Sequence, residues 1–215
     1  MKRIAIVDYG SGNVRSVRKA LERAGQSVRG TVSTIVTDDP DDLMSVDGIV
    51  LPGVGHFADC AAALRSRSGL IEAIHEAVFS HGRPFMGICV GMQLLATFGE
   101  EDQITPGLDW ISGSVGRLRP SSSRLPIPHM GWNTLLEVSN HPVLAGLGDE
   151  PHVYFTHSYA ITPKETQDIA AQTDYGGSIA AAVARGPLFG TQFHPEKSQT
   201  VGQKILLNFL NWRPG

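Results

Sequence analysis

The chain has 215 residues, 41% of them hydrophobic and 18% charged, with a formal net charge of −3. That length suits one domain, and a chain of this size buries roughly 70% of the surface its unfolded form exposes, so it needs no covalent staple. The charge offers no basic field for nucleic acid or an anionic membrane, and two cysteines are too few for a disulfide framework or a cysteine-rich metal site. A reducing, cytoplasmic setting is expected, with no metal and no cofactor.

Residues 3–8, RIAIVD, read as a first buried strand. Its apolar run stops at Asp8, too early for a signal sequence or a membrane span. Val14, Val17, Leu21 and Ala24 then recur at helical spacing until Gly25 stops the helix. The intervening YGSGNVR, 9–15, is read as a tight turn with Asn13 as helix cap. A dinucleotide fingerprint is disfavoured: Arg15 stands at its third glycine, and VRGTVST shows no acidic residue closing a second strand. DGIVLP, 47–52, is a strand; 57–80 are helical with a break at Ser68 and Gly69; RPFMGIC, 83–89, is a strand; 90–98 form a short helix. This alternation predicts parallel βα units covered on both faces. Short strands follow near 111–119, 130–138, 152–159, 169–173, 178–184 and 188–193. A last helix covers about 198–211, and RPSSSRLPIP, 119–128, is expected to be a mobile loop. The whole of 1–215 reads as one α/β domain, a mostly parallel sheet with added antiparallel strands.

The chemistry starts at Gly87-Ile88-Cys89-Val90-Gly91. A strand, a sharp turn and a helix, with a thiol between small neighbours, is the layout of a nucleophile elbow. The turn strains the backbone, and the positive end of helix 90–98 favours a thiolate. The competing reading is a buried structural cysteine, which the paired glycines disfavour. A thiol of ordinary pKa, about 8.5, is only a few per cent ionised at neutral pH, so a base is needed. Among eight histidines, His194 in GTQFHPEKS stands out. Glu196 follows two residues later, on the same side of an extended segment, where a carboxylate orients an imidazole. The triad is thus Cys89, His194 and Glu196. LPGVGHF, 51–57, ends the DGIVLP strand at the same sheet edge. Gly53 or Val54 could aim an N–H at an oxyanion, or the segment could be a plain loop; spacing does not choose.

GICVGMQLL, LPGVGHFADC and HPEKS at these distances resemble the class I glutamine amidotransferases, over essentially the whole chain. DYGSGN, PHMGWN and YFTHSY narrow the resemblance to the glutaminase subunits of histidine biosynthesis. The resemblance implies a flavodoxin-like three-layer sandwich. It also implies that Cys89 attacks the carboxamide of L-glutamine to form a γ-glutamyl thioester. His194 then protonates the departing ammonia and activates water, and Glu196 orients His194. The amides of Gly53, Val54 and Val90, with Gly91 nearby, are implied for the oxyanion. Gln93, Glu101 and the backbone of His157, Ser158 and Tyr159 are implied for glutamine, with Glu100 as rival to Glu101. The implied partner is a (β/α)8-barrel cyclase subunit, in a heterodimer, that receives the ammonia and makes imidazole glycerol phosphate and an aminoimidazole carboxamide ribotide. Asn13, Trp132 and Lys197 match positions at or near that interface. His56 departs from the family pattern, as an exposed residue where a small one is common. Cys60, in an alanine-rich helix, reads as structural.

Two other classes compete. A catalytically silent subunit on the same fold would tolerate loss of any triad member, yet all three are present. A peptidase or deglycase of related fold would pair the elbow cysteine with a histidine close in sequence; Val90 follows Cys89, and the near imidazoles, His75 and His81, both precede it.

Overall fold

The computed structural model describes residues 1–28 and 30–215. Its elements in chain order are β1 (Lys2–Val7), α1 (Val14–Gly25), β2 (Val32–Thr37), α2 (Pro40–Leu43), β3 (Gly48–Gly53), α3 (Phe57–Arg65), α4 (Leu70–His75), β4 (Phe85–Cys89), α5 (Val90–Gln93), β5 (Phe98–Gly99), β6 (Thr105–Pro106), β7 (Gly113–Arg117), β8 (His129–Thr134), β9 (His152–His157), β10 (Tyr159–Pro163), β11 (Ile169–Asp174), β12 (Ser178–Arg185), β13 (Leu188–Thr191) and α6 (Gln199–Asn211).

The main sheet has seven strands in the order β2-β1-β3-β4-β13-β12-β11. The first five are parallel; β12 and β11 add on antiparallel. β3 and β4 are wholly buried, as strands covered on both faces must be, and they read as continuous apolar runs. The β1-to-β2 and β3-to-β4 crossovers run in opposite directions, so right-handed connections put α1 on one face and α3 and α4 on the other. α6 packs on α1 and completes a three-layer sandwich. β1, β3, β4 and β13 all end at one edge, where the strand order reverses and α/β folds place ligands. A small sheet, β10-β7-β5-β6, and the β8-β9 hairpin flank that edge.

Several sequence expectations change. The helix expected over 90–98 is a single turn, Val90–Gln93. Leu95 and Ala96 N–H bond three residues back, to Met92 O and Gln93 O, and the carbonyls of Leu94, Leu95 and Ala96 are taken by the amides of residues 108–111, so the α-helical pattern stops. Little macrodipole therefore reaches Cys89. The 28–37 region holds a strand, β2, and Asp38 and Asp39 follow it directly. They serve the fold, Asp38 pairing with Arg67 at 3.6 Å and Asp39 capping α2. The run 152–159 is broken at Ser158 into β9 and the start of β10, and β8 stops at Thr134 rather than 138. Residues 119–128 hold no helix or strand, in keeping with a loop; Ser121 N–H donates to Gly176 O at 2.8 Å and Tyr175 to Pro126 O at 2.7 Å. Asn13 does cap α1, accepting from Ser16 N at 3.4 Å.

α5 lies against β3 without any side chain between them. A Cβ on Gly91 would sit 1.9 Å from Leu51 O, and one on Gly87 2.5 Å from Gly91 O. Gly91→Ala should therefore destabilise the chain by about 3 kcal/mol, the upper range for overpacking, measured as a lower urea midpoint at unchanged m-value. A midpoint equal to that of the native chain would show that β3 and α5 can separate freely.

Candidate active site

Cys89 ends β4 with φ 55° and ψ −112°. A non-glycine residue there is strained, and the close packing at Gly87 and Gly91, two positions to either side, helps to hold it. β13 runs parallel to β4 with Thr191 opposite Ile88, which brings the following residue, Gln192, beside the sulfur. Its amide donates to Cys89 Sγ at 3.7 Å. Gln192 is fully buried and was not singled out in the sequence; its only signal there was its place two residues before His194.

His194 and Glu196 leave β13 on a short turn that Ser198 holds. Ser198 Oγ donates to His194 O at 2.7 Å and accepts from Tyr154 N at 3.0 Å, while His194 N donates to Tyr154 O at 2.9 Å. His194 Nδ1 bonds Glu196 Oε1 at 2.8 Å, with both side chains at most 2% exposed. Nε2 makes no hydrogen bond in the resting geometry, and Cys89 is the other triad member lining the same cleft. Burial alone would lower the pKa of His194. The nearby Cys89 thiol and the hydrogen-bonded Glu196 carboxylate outweigh it and push the imidazole up to about 9. The group is thus held as a proton donor at neutral pH.

The cleft has a volume of about 410 Å³. Cys89, Val90, Gln93, Glu101, His157, Ser158, Tyr159, His194 and Lys197 all line it, as do Val54 and Gly55. Glu101, not Glu100, faces it; Glu100 is exposed elsewhere. Glu101 Oε2 also accepts from Phe57 N at 2.8 Å, which ties it to the start of α3. Gly53 lies opposite Cys89 in the β3–β4 register. The neighbouring Val54 carbonyl accepts from Ser11 Oγ at 2.7 Å and Cys60 Sγ at 3.4 Å. Burial pushes the Cys60 thiol up, which suits the structural role expected of it. His56 is half-buried rather than exposed, and its Nε2 lies 3.1 Å from Asp102 Oδ2.

One expectation needs refinement. Tyr159 O is already occupied, accepting from Gln93 Nε2 at 2.9 Å and His157 Nδ1 at 2.9 Å. Both acceptor positions of that carbonyl are filled, so it shapes the cleft rather than receiving a ligand. Gln93 Nε2 spends its second hydrogen on Gln192 Oε1 at 3.0 Å, which leaves Gln93 Oε1 as the group free to accept. Beside the cleft, Met130 and Trp132 are 62% and 47% exposed. Trp132 packs edge-on against Tyr154, and Lys197 Nζ lies 5.8 Å from that ring. Trp132 and Lys197 thus share a patch, while Asn13 is half-buried at the start of α1. Among the described residues no group of His, Cys, Asp and Glu is placed to hold a metal, and no helix is long and apolar enough to cross a membrane.

The family described as "Glutamine amidotransferase class-I" matches residues 5–212. "Imidazole glycerol phosphate synthase subunit HisH" of Caulobacter vibrioides is 50% identical over 214 residues, covering 100% of both chains. The protein of that name from Bradyrhizobium diazoefficiens is 51% identical, covering 98% of this chain and 99% of its own. Among solved structures, the glutaminase domain of Trypanosoma brucei CTPS with bound acivicin superposes with a TM-score of 0.69 at 19% identity, over 97% of this chain and 92% of that one. That likeness supports the fold.

A group with a raised pKa stabilises the folded state below its unfolded pKa, and the gain is lost as pH rises through the folded value. The His194 contribution should therefore be complete below about pH 6.5 and disappear as pH passes about 9. In Glu196→Gln the histidine should titrate well below 9, followed by NMR of its ring protons, and the alkaline loss of stability should move down with it. An unshifted midpoint would mean that the carboxylate does not set the charge of this imidazole.

Proposed function

The chain belongs to the class I glutamine amidotransferases, and from that premise we propose that it is the glutaminase subunit of imidazole glycerol phosphate synthase. In this reading it hydrolyses L-glutamine to glutamate and ammonia for histidine biosynthesis. The observation that carries it is His194, bonded behind the cleft to the buried Glu196 carboxylate, lining one cleft with a strained Cys89. A silent subunit would have no need to hold an imidazole charged against burial, or a thiol in a forbidden backbone region.

The chemistry follows from the geometry. The Cys89 thiolate attacks the side-chain carbonyl of glutamine, and the C–S bond forms as the carbonyl electrons move to oxygen. Backbone N–H groups of Gly53 or Val54, and of Val90, are the donors assigned to that oxyanion. His194 gives its proton to the leaving nitrogen, ammonia departs, and a γ-glutamyl thioester remains. The neutral imidazole then takes a proton from water, whose oxygen attacks the thioester and releases glutamate. Glu196 holds Nδ1 throughout and so keeps Nε2 toward the reacting atoms. Gln93 Oε1 and Glu101 suit the amide and ammonium groups of glutamine. Among the described residues no basic cluster lines the cleft to hold a phosphosugar, which fits synthesis on a partner. That partner is a (β/α)8-barrel cyclase subunit, docked on the Met130–Trp132–Lys197 side with Asn13 near its edge and receiving ammonia directly.

Cys89→Ala should lower glutamine hydrolysis in the complex by at least about 10³-fold, as loss of a nucleophile does, while ammonia-driven synthesis by the partner continues. Unimpaired glutamate release would sink the reading. Trp132→Ala should weaken association with the cyclase subunit about thirtyfold, the cost of an aromatic anchor worth about 2 kcal/mol, in a calorimetric titration. An unchanged Kd would move the interface elsewhere.

A further inference from the structure

β8 and β9 form a two-stranded hairpin, and their register sets His129 directly across from His157. His129 Nδ1 and His157 Nε2 are 3.0 Å apart, and both residues are buried. His129 is also held flat between Phe155 and Tyr175, with ring centroids at 4.6 and 3.9 Å. His157 lines the glutamine cleft; His129 lies behind it.

The positions of the protons follow from both ends of this pair. On the cleft side, Tyr159 O can only accept, so His157 Nδ1 carries a hydrogen and, in a neutral ring, Nε2 is bare. On the far side, Asn133 Oδ1 accepts from Thr134 N and its Nδ2 donates to Asp174 O. The same Nδ2 lies 3.3 Å from His129 Nε2, which must then accept, so His129 carries its hydrogen on Nδ1. The two assignments agree: His129 Nδ1–H donates to a bare His157 Nε2. Burial pushes both imidazoles down to about 4, so neither is charged near neutrality.

The chain of donors does not stop there. Tyr159 O receives Gln93, Gln93 also donates to Gln192, and Gln192 donates to the catalytic sulfur. An unbroken series of hydrogen bonds thus joins Asn133 to Cys89. Successive residues of a strand face opposite sides. β8 therefore turns His129 and Asn133 toward this series and Met130 and Trp132 outward, and only the latter pair is strongly exposed.

Resting on the functional reading above, we propose that His129 and His157 are a positioning couple that ties the glutamine cleft to β8, the strand whose outer face carries Met130 and Trp132. The couple fixes the His157 ring and the Tyr159 carbonyl, and through Gln93 it fixes the wall against which glutamine binds. A partner seated on β8 thereby acts on the cleft through hydrogen bonds that run from Asn133 through both imidazoles to the Tyr159 carbonyl, where the donation from Gln93 meets them.

Two measurements test this. Long-range nitrogen-15 NMR of the full chain at pH 7 should show both histidines as neutral Nδ1–H tautomers, the less common form in water. Nε2–H or doubly protonated rings would overturn the couple. In the complex with the cyclase subunit, His129→Leu should raise the KM for glutamine about tenfold, the scale of one buried hydrogen bond left unmade, with the Kd for the partner unchanged. His129→Asn, whose side-chain amide can occupy the Nδ1 position, should restore a near-native KM. A native KM in His129→Leu, or an equal rise in both variants, would overturn the proposal. If His129→Leu fails to fold, the tautomers in the native protein decide. If the native complex hydrolyses no glutamine, the functional reading fails, and the tautomers alone judge the couple.

Discussion

The backbone of α5 rests on the backbone of β3, with hydrogen atoms where side chains would be. This contact forces the turn at Cys89. With Gly91 pressed toward Leu51 O and Gly87 beneath it, β4 cannot run straight into its helix, and the residue between must take a positive φ. Strain at that residue is offset by the burial of the surrounding strands. The sulfur is thus delivered to the sheet edge by main-chain geometry, and the parallel register then places Gly53 on one side of it and Gln192 on the other.

Burial and charge oppose one another in the rest of the site. Desolvation disfavours an imidazolium, and an isolated buried histidine would be neutral. Two such histidines lie close by, His129 and His157, both pushed down to about 4. His194 is as buried as they are and goes the other way because a buried carboxylate and the thiol flank it. The same residue type therefore gives a charged acid and two neutral hydrogen-bonding rings, at the cleft wall and just behind it, according to the partner on the second ring nitrogen.

Much of this was legible in the residue order. The βα alternation gave the parallel core, because strands buried on both faces must be apolar throughout. Cys89 was legible because glycines two positions to either side of a thiol, between a strand and a helix, suit a tight elbow. His194 with Glu196 was legible because a spacing of two in an extended segment puts both on one side. The helix beyond Cys89 was overestimated, since nothing local shows that residues 108–111 will claim its carbonyls. β2 was missed because its residues are only partly buried and give a weak apolar signal. Gln192 was passed over because a lone glutamine has no meaning until a strand register sets it beside a sulfur.

The order of residues settles what is local: which segments can form strands, where the turns fall, and which residue types can act as nucleophile, base and orienting acid. Those follow from backbone sterics and side-chain chemistry within a few positions. Distances across the sheet follow from hydrogen-bond register and close packing between segments a hundred residues apart. The fold therefore fixes that Glu101 rather than Glu100 enters the cleft, that the Tyr159 carbonyl is already filled, and that His129 stands behind His157. Each of these is a matter of which face of a strand or loop meets its neighbour, and a side chain acquires that only when the neighbour is in place.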